Sequence, residues 1–202
     1  MLYKNYLKRL FDIIFSSLAI IMLSPLFIII FVIVFFEFKG TVFFTQERAG
    51  IHGKNFKMIK FRTMIQNFDE KGLTEDKAIS KFGSFLRKTS LDEIPEFINV
   101  LNGNMSLIGP RPLLVQYVER YNIHHLKRLN VKPGITGLAQ ISGRNTLSWS
   151  EKFDIDVEYV NNISLLNDIK IILLTIKIIF SSNDIDSAGG HMKEFKGYSD
   201  EN

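Results

Sequence analysis

The sequence predicts an α+β fold, mainly helical with a small β-hairpin or sheet, an N-terminal re-entrant membrane helix-break-helix, and amphipathic helices at the interface. Three observations predict it. No charged residue occurs from Ile13 to Phe36, and Ser24-Pro25 interrupts that run near its middle. Two short apolar and aromatic segments, Thr41 to Thr45 and Phe56 to Phe61, flank turn-forming residues. Farther on, apolar residues recur at helical spacing, as at Leu91, Ile94, Phe97, Ile98 and Leu101. The chain divides into a membrane element with basic flanks (1–39), a globular domain at the cytosolic face (40–182) and a flexible C-terminal tail (183–202) rich in Ser, Asn, Asp and Gly.

The bulk numbers narrow the partners. A chain of 202 residues with 46% hydrophobic content suits one domain of ordinary size. The formal charge of +4 fits acidic lipid, nucleotide or nucleic acid. The apolar run chooses a membrane-facing partner over nucleic acid. With no cysteine, disulfides and thiolate metal sites are excluded. The four histidines, His52, His124, His125 and His191, lack the spacing of a metal-binding motif such as H-E-x-x-H and read as ordinary residues at the surface or in support of other side chains.

The apolar run has the length of a membrane segment: a straight helix over it would cover about 36 Å against a hydrocarbon core of roughly 30 Å. It is too long for the apolar core of a signal peptide, and no small-residue cleavage site follows it. Pro25 removes a backbone donor and crowds the preceding turn, so a sharp bend is expected at Ser24-Pro25. Lys8 and Arg9 precede the run, while Lys39, Arg48, Lys54, Lys57, Lys60 and Arg62 follow it. Positive charge at both ends marks both as cytoplasmic. The segment is therefore expected to dip into one leaflet and return, with a kinked single span as the alternative. Asp12, on the helical face near Lys8 and Arg9, is expected at the interface, paired with one of them.

After Gly40 the two short strands form a hairpin around Arg48-Ala-Gly50 and His52-Gly53-Lys54-Asn55. Lys60 and Arg62 lie on its polar face, open to solvent or to phosphate. Gln66 to Lys81 reads as a loop or marginal helix. Then comes an adjacent carboxylate pair, Asp92 and Glu93. Ser90-x-x-Glu93 fits a capping box, and a helix starting instead near Ile94, beside Pro95, leaves both carboxylates just ahead of it. Capping explains Glu93 better than Asp92, whose charge would sit in the positive field of a helix N-terminus. Arg111 follows, held between Pro110 and Pro112.

In the second half, Leu113 to His125 is expected as an amphipathic helix. Gly134 to Gly137 supplies two turns, and Leu138 to Ile141 is expected as a strand leading to Gly143-Arg144-Asn145. An arginine after glycine in an irregular segment approaches a ligand easily. Asp154-Ile-Asp156 resembles a metal-binding D-x-D, but as a helix it buries Phe153, Val157 and Val160 and leaves Asp154 in water. Leu165 to Phe180 is apolar nearly all round and reads as a core helix or an interfacial one.

Together, Lys8-Arg9-x-x-Asp12, Ser24-Pro25, Lys60-Phe-Arg-Thr-Met64, Ser90-Leu-Asp-Glu-Ile-Pro95, Asn99-Val-Leu-x-Gly-x-Met-Ser106, Gly109-Pro-Arg-Pro112 and Arg144 resemble the monotopic polyprenol-phosphate phosphoglycosyl transferases, the bacterial sugar transferase family. The resemblance covers nearly the whole chain and is nearest to the PglC type. Ala49 departs from it, standing where the family often has proline. The resemblance implies transfer of a phosphosugar from a UDP-sugar to undecaprenyl phosphate at the cytoplasmic face of the bacterial inner membrane, with Mg²⁺ and release of UMP. It implies Asp92 as the nucleophile that forms a covalent phosphosugar intermediate and Glu93 as its acidic partner, in contact with the metal or activating the acceptor. An aspartate at its reference pKa of about 3.9 needs no base at neutral pH. Arg111, Arg87 and Arg144, with Lys60 and Arg62, are the candidates to clamp phosphoryl oxygens, with Asp156 and Asn145 in support. The PglC likeness tilts the sugar toward an N-acetylated one, possibly a 2,4-diacetamido-6-deoxy sugar.

Overall fold

The structure is a computed structural model that describes residues 2–65, 68, 72, 74–143, 146–181 and 194–198. After a short π-turn at Tyr3–Leu7, helix α1 runs from Lys8–Glu37. Instead of the expected break at Ser24-Pro25, the proline is carried inside one continuous helical element. Pro25 has no N–H for the Ile21 carbonyl, and Ser24 Oγ donates to that oxygen instead, at 2.8 Å. The serine thus supplies the bond that the proline deletes.

Both halves of α1 rest on the same globular body. In the first half, Arg9 donates to the carbonyls of Val100 (2.6 Å) and Leu101 (2.8 Å). In the second, Ile30 and Val34 join Val42, Phe61, Leu86 and Ile94 in a buried cluster. Asp12 is paired with neither neighbouring cation. Its Oδ1 accepts from Ser106 Oγ and Leu107 N, both at 2.9 Å, and Lys8 instead reaches Asp168 at 2.7 Å. The first turns of α1 are therefore bolted to the domain by polar bonds, while its outer face keeps Ile14, Phe15, Leu18, Ile21, Met22, Ile28 and Ile29 exposed.

The hairpin forms as expected. Strands β1 (Phe43–Ala49) and β2 (Asn55–Phe61) pair antiparallel, with Phe43 opposite Phe61 and Ala49 opposite Asn55. A short helix, α2 (Glu75–Ala78), precedes α3 (Lys81–Lys88), which is capped by Ser80 Oγ accepting from Gly83 N. Helix α4 (Glu96–Leu101) follows Pro95. Asn99 locks it to the hairpin: its Oδ1 accepts from Ile59 N and its Nδ2 donates to the Lys57 carbonyl.

Three expectations for the second half are corrected. Leu113 to His125 forms no α-helix. It contains the 3₁₀ segment Val115–Arg120, and a second, His125–Asn130, begins at its end. Leu114 bridges to Arg48 at the end of β1, which ties the segment's start into the sheet region and prevents a continuous helix. Gly134 and Gly137 are not turn glycines. Gly134–Thr136 is strand β4, parallel to β3 (Ser106–Ile108). A Cβ at Gly134 would lie 2.1 Å from the backbone nitrogen of Gly109, so the two chains approach closely only because both residues lack side chains. Leu138–Ser142 is then helix α5 rather than a strand.

Helix α6 (Trp149–Asn161) buries Phe153, Val157 and Val160 as expected and carries a true capping box at Ser148 and Glu151. Helix α7 (Leu165–Phe180) buries Ile171 and Asp168 but leaves Leu166, Ile169, Leu173 and Ile176 exposed. Its outer face is thus apolar and its inner face buried, where the sequence left a core or an interfacial helix open. Asp168 gathers the N-terminus and α6 around α7 by accepting from Tyr3, Lys8 and Tyr159. The tail expected to be flexible is in part packed: Phe195 is 1% exposed within a cluster of Tyr117, Tyr121, Phe153 and Trp149.

Candidate active site

The carboxylate pair sits in a single 3₁₀ turn, Leu91–Glu93, between α3 and α4. The capping box expected at Ser90 is not formed. Ser90 adopts a left-handed backbone conformation (φ 56°), and its side chain makes no cap bond. Glu93 is unavailable to cap because it is held elsewhere. Its Oε1 accepts from Lys60 Nζ at 2.5 Å and from Arg111 Nη2 at 3.0 Å. The left-handed residue turns the chain sharply between two helices, presenting Asp92 and Glu93 at the start of α4, as the alternative register predicted.

Asp92 is 8% exposed, and among the described residues no side chain or amide donates a hydrogen bond to it. Burial pushes its carboxyl up to about 6, with Lys60, Arg87 and Arg111 opposing and Glu93 adding to the rise. The simple expectation of an unperturbed aspartate is thus corrected, though the group is still ionised at neutral pH. For Glu93 burial also raises the pKa, but Arg111 and Lys60 overcome it and hold the group at about 2. The neighbours therefore divide the work. Glu93 is a permanent anion that fixes two cations, and Asp92 is a carboxylate with free lone pairs and a high basicity.

A third carboxylate escaped the sequence reading. Glu96 is 2% exposed and lies 3.2 Å from Lys60 Nζ, so that Lys60 bridges Glu93 and Glu96. Burial first, and then Glu93, push Glu96 up to about 7. The signal was present in the spacing, since Glu96 lies three residues after Glu93 and returns to the same side of a helical turn.

The other expected residues are distributed unequally. Arg87 Nε donates to Thr63 Oγ1 at 2.9 Å and acts on Asp92 through its charge. Arg111 is half-exposed, with its charge favoured by Glu93. Arg62 is not brought into the cluster. It makes one long bond to the Phe43 carbonyl (3.4 Å), because it follows the last residue of β2 and turns back along the hairpin. Asp156 does not reach the reacting carboxylates either. It is 4% exposed and bound by Arg128 at 2.8 Å, and Arg128 in turn donates to the Arg111 carbonyl at 2.8 Å. Its part is to support the arginine-bearing loop through Arg128, a residue the sequence reading passed over. Arg144 and Asn145 lie outside the described residues.

The histidines hold one surprise. His125 Nε2 and His124 Nε2 lie 2.8 and 3.3 Å from Asp154 Oδ1. His125 Nδ1 and Tyr198 Oη share a further hydrogen bond at 2.6 Å. The hydroxyl also accepts from Asn122 N, so it donates to Nδ1 and leaves Nε2–H for Asp154. The group is satisfied as a hydrogen-bond network.

Asp92 is thus a buried carboxylate under the charges of Lys60, Arg87 and Arg111, in a domain that also carries an exposed apolar helix. The sequence profile described as "Bacterial sugar transferase" matches residues 3–182. The chain belongs to the bacterial sugar transferase family. Among relatives, a Bacillus subtilis protein named "Uncharacterized sugar transferase EpsL" is 44% identical over 181 residues, covering 89% of this chain and 90% of its own. The Escherichia coli "UDP-glucose:undecaprenyl-phosphate glucose-1-phosphate transferase" is 43% identical over 182 residues, 84% of this chain and 39% of the longer protein. The Salmonella typhimurium "Undecaprenyl-phosphate galactose phosphotransferase" is 39% identical over 194 residues, 87% of this chain and 40% of the relative. The alignments with these two longer transferases thus span about two fifths of their length.

For this sugar transferase the carboxyl of Asp92 sets the expected pH dependence. Burial brings the Asp92 carboxyl up to about 6, so if activity needs Asp92 ionised, kcat/KM is expected to fall as pH drops through that value. A profile measured from pH 5 to 8 checks this. Activity unchanged down to pH 5 would contradict the assignment.

Proposed function

We propose that the enzyme transfers a phosphosugar from a UDP-sugar to undecaprenyl phosphate on the cytoplasmic face of the bacterial inner membrane, releasing UMP through a covalent intermediate on Asp92. The observation that carries this reading is Asp92 itself: buried, without a hydrogen-bond donor among the described residues, and flanked by Lys60, Arg87 and Arg111. The names of the undecaprenyl-phosphate-dependent relatives support the acceptor and the reaction class.

In the first step an Asp92 carboxylate oxygen attacks the β-phosphorus of the donor. The bond from that phosphorus to the oxygen bridging it to UMP breaks, and UMP leaves with the electron pair. In the second step a phosphate oxygen of the acceptor attacks the same phosphorus and frees Asp92. Splitting the transfer lets a soluble donor and a membrane acceptor use one site in turn. Arg111 and Lys60, fixed by Glu93, and Arg87, fixed by Thr63, present positive charge to the phosphoryl oxygens without having to reorganise. Mg²⁺ suits the oxygen donors here, Asp92 and the Glu93 carboxylate, and when bound would neutralise the phosphates that approach them.

The re-entrant reading of α1 draws support from its packing. A straight helix would put Arg9 and Ile30 about 32 Å apart along the axis, yet Arg9 grips the end of α4 while Ile30 joins the cluster that includes Ile94, just ahead of α4. A helix seated at both ends on one domain does not deliver its end across the bilayer. Single cysteines at Lys4 and Lys54 test the topology: an impermeant reagent on intact cells should modify neither, and modification of one alone would contradict it.

The reaction is tested by supplying UDP-glucose, UDP-galactose and UDP-N-acetylated donors with and without undecaprenyl phosphate. Transfer predicts steady-state UMP release that requires the acceptor and a matching glycolipid. UMP released equally without acceptor, and with no glycolipid, would assign a nucleotide-sugar hydrolase instead.

A further inference from the structure

The family profile ends at residue 182, but Glu194 to Tyr198 return to the body of the enzyme and are held there by several independent contacts. Phe195 fills an aromatic box, with its ring centroid 5.1 Å from Phe153, 5.6 Å from Tyr117 and 5.9 Å from Trp149. Its N–H donates to Tyr117 Oη at 3.1 Å, and its carbonyl accepts from Arg120, which also grips Glu194 at 3.2 Å. Burial of a phenylalanine against several rings favours holding a short segment of this kind in place.

The box is next to the catalytic machinery. Tyr121 and Phe153, two of its walls, are the rings over which the Arg128 guanidinium lies, 5.4 Å from each centroid. Arg128 donates to the Arg111 carbonyl, and Arg111 to Glu93 beside Asp92. Among the described residues a continuous chain of contacts thus runs from Phe195 through Phe153 and Arg128 to the Arg111 loop. We propose that the C-terminal segment is a positioning element of the transfer site, in which Phe195 fixes the aromatic walls that hold Arg128 and thereby sets the height of Arg111 for the donor phosphate. The proposal rests on Arg111 being a donor-phosphate ligand, as assigned above. Phe195 touches no reacting group and acts only through this chain.

The test compares kinetic constants of full-length wild type, Phe195→Ala, Arg120→Gln, Arg111→Ala and the Phe195→Ala/Arg111→Ala double variant, with thermal melts of each. Phe195→Ala should lower kcat/KM for the UDP-sugar by about tenfold, since small misplacements of a positioning group carry losses of this order or larger. Arg120→Gln should move in the same direction with the box intact. A synthetic peptide spanning residues 193–199, added to Phe195→Ala, should restore most of the loss. The effect should vanish in the Arg111→Ala background, because coupled residues are not additive. Unchanged constants in Phe195→Ala and Arg120→Gln, or a loss that multiplies in full with that of Arg111→Ala, would overturn the proposal while leaving the assignment of the site intact. Wild type without UMP release, or Arg111→Ala without loss, would overturn the assignment and the tail proposal with it.

Discussion

Replacing Asp92 by asparagine is expected to abolish phosphosugar transfer and, at the same time, to make the protein more stable. The first effect follows from chemistry: an amide oxygen does not form the acyl phosphate, so turnover should fall by at least about three orders of magnitude. The second follows from burial. The folded-state carboxyl lies near 6, above its ordinary value of 3.8. A raised acid contributes stability that is fully present below the unfolded value and lost as pH rises through the folded one, so at neutral pH the ionised side chain opposes folding. The Asp92→Asn change removes that charge, with an expected gain of about 1–3 kcal/mol at pH 7.5 that shrinks toward pH 4. Thermal melts at both pH values, alongside activity, check the pair. A loss of stability at pH 7.5 would show that Asp92 is a structural anion rather than a carboxylate held ready for phosphorus.

Arg128→Ala should have the largest effect on folding. Arg128 is 3% exposed and donates to Asp156, the Tyr121 hydroxyl and the Arg111 carbonyl. Its removal leaves Asp156 buried without its cation, which typically costs about 3–5 kcal/mol. The accompanying loss of activity should appear as weaker donor binding, because Arg111 loses its backbone support. A paired Arg128→Met, Asp156→Leu variant should recover much of the stability but not the donor affinity, since it restores packing and leaves the Arg111 carbonyl without its donor. Denaturant midpoints and donor KM separate the two effects. A paired variant as unstable as Arg128→Ala would contradict the uncompensated-charge explanation.

Much of this was legible in the sequence where local chemistry and tertiary structure agree. The hairpin followed from strand-forming residues around glycines, and α6 from the buried stripe Phe153, Val157 and Val160. The position of Asp92 and Glu93 ahead of α4 followed from Pro95. The failures came where a distant partner outbid a local pattern. Ser90 and Glu93 have capping-box spacing, but Lys60, on a strand far away in sequence, takes the glutamate. Leu138 to Ile141 is a short apolar run that periodicity alone does not assign, and its state was decided by Gly134, whose lack of a side chain lets β4 pair with β3 just before it. Arg128 and Glu96 carry no local signal of burial, and only the tertiary structure gives each its partner. Phe195 stood in a polar tail with no periodicity to mark it, and only the aromatic box gives it a place.

The central claim is that Asp92 carries the phosphosugar. The most direct measurement is intact-protein mass spectrometry after mixing enzyme, Mg²⁺ and UDP-sugar without acceptor, quenched under conditions that preserve acyl phosphates. The mechanism predicts one added phosphosugar mass that disappears when undecaprenyl phosphate is supplied and never forms in Asp92→Asn. An adduct that persists in Asp92→Asn, or an active enzyme that shows none under trapping conditions, would contradict it.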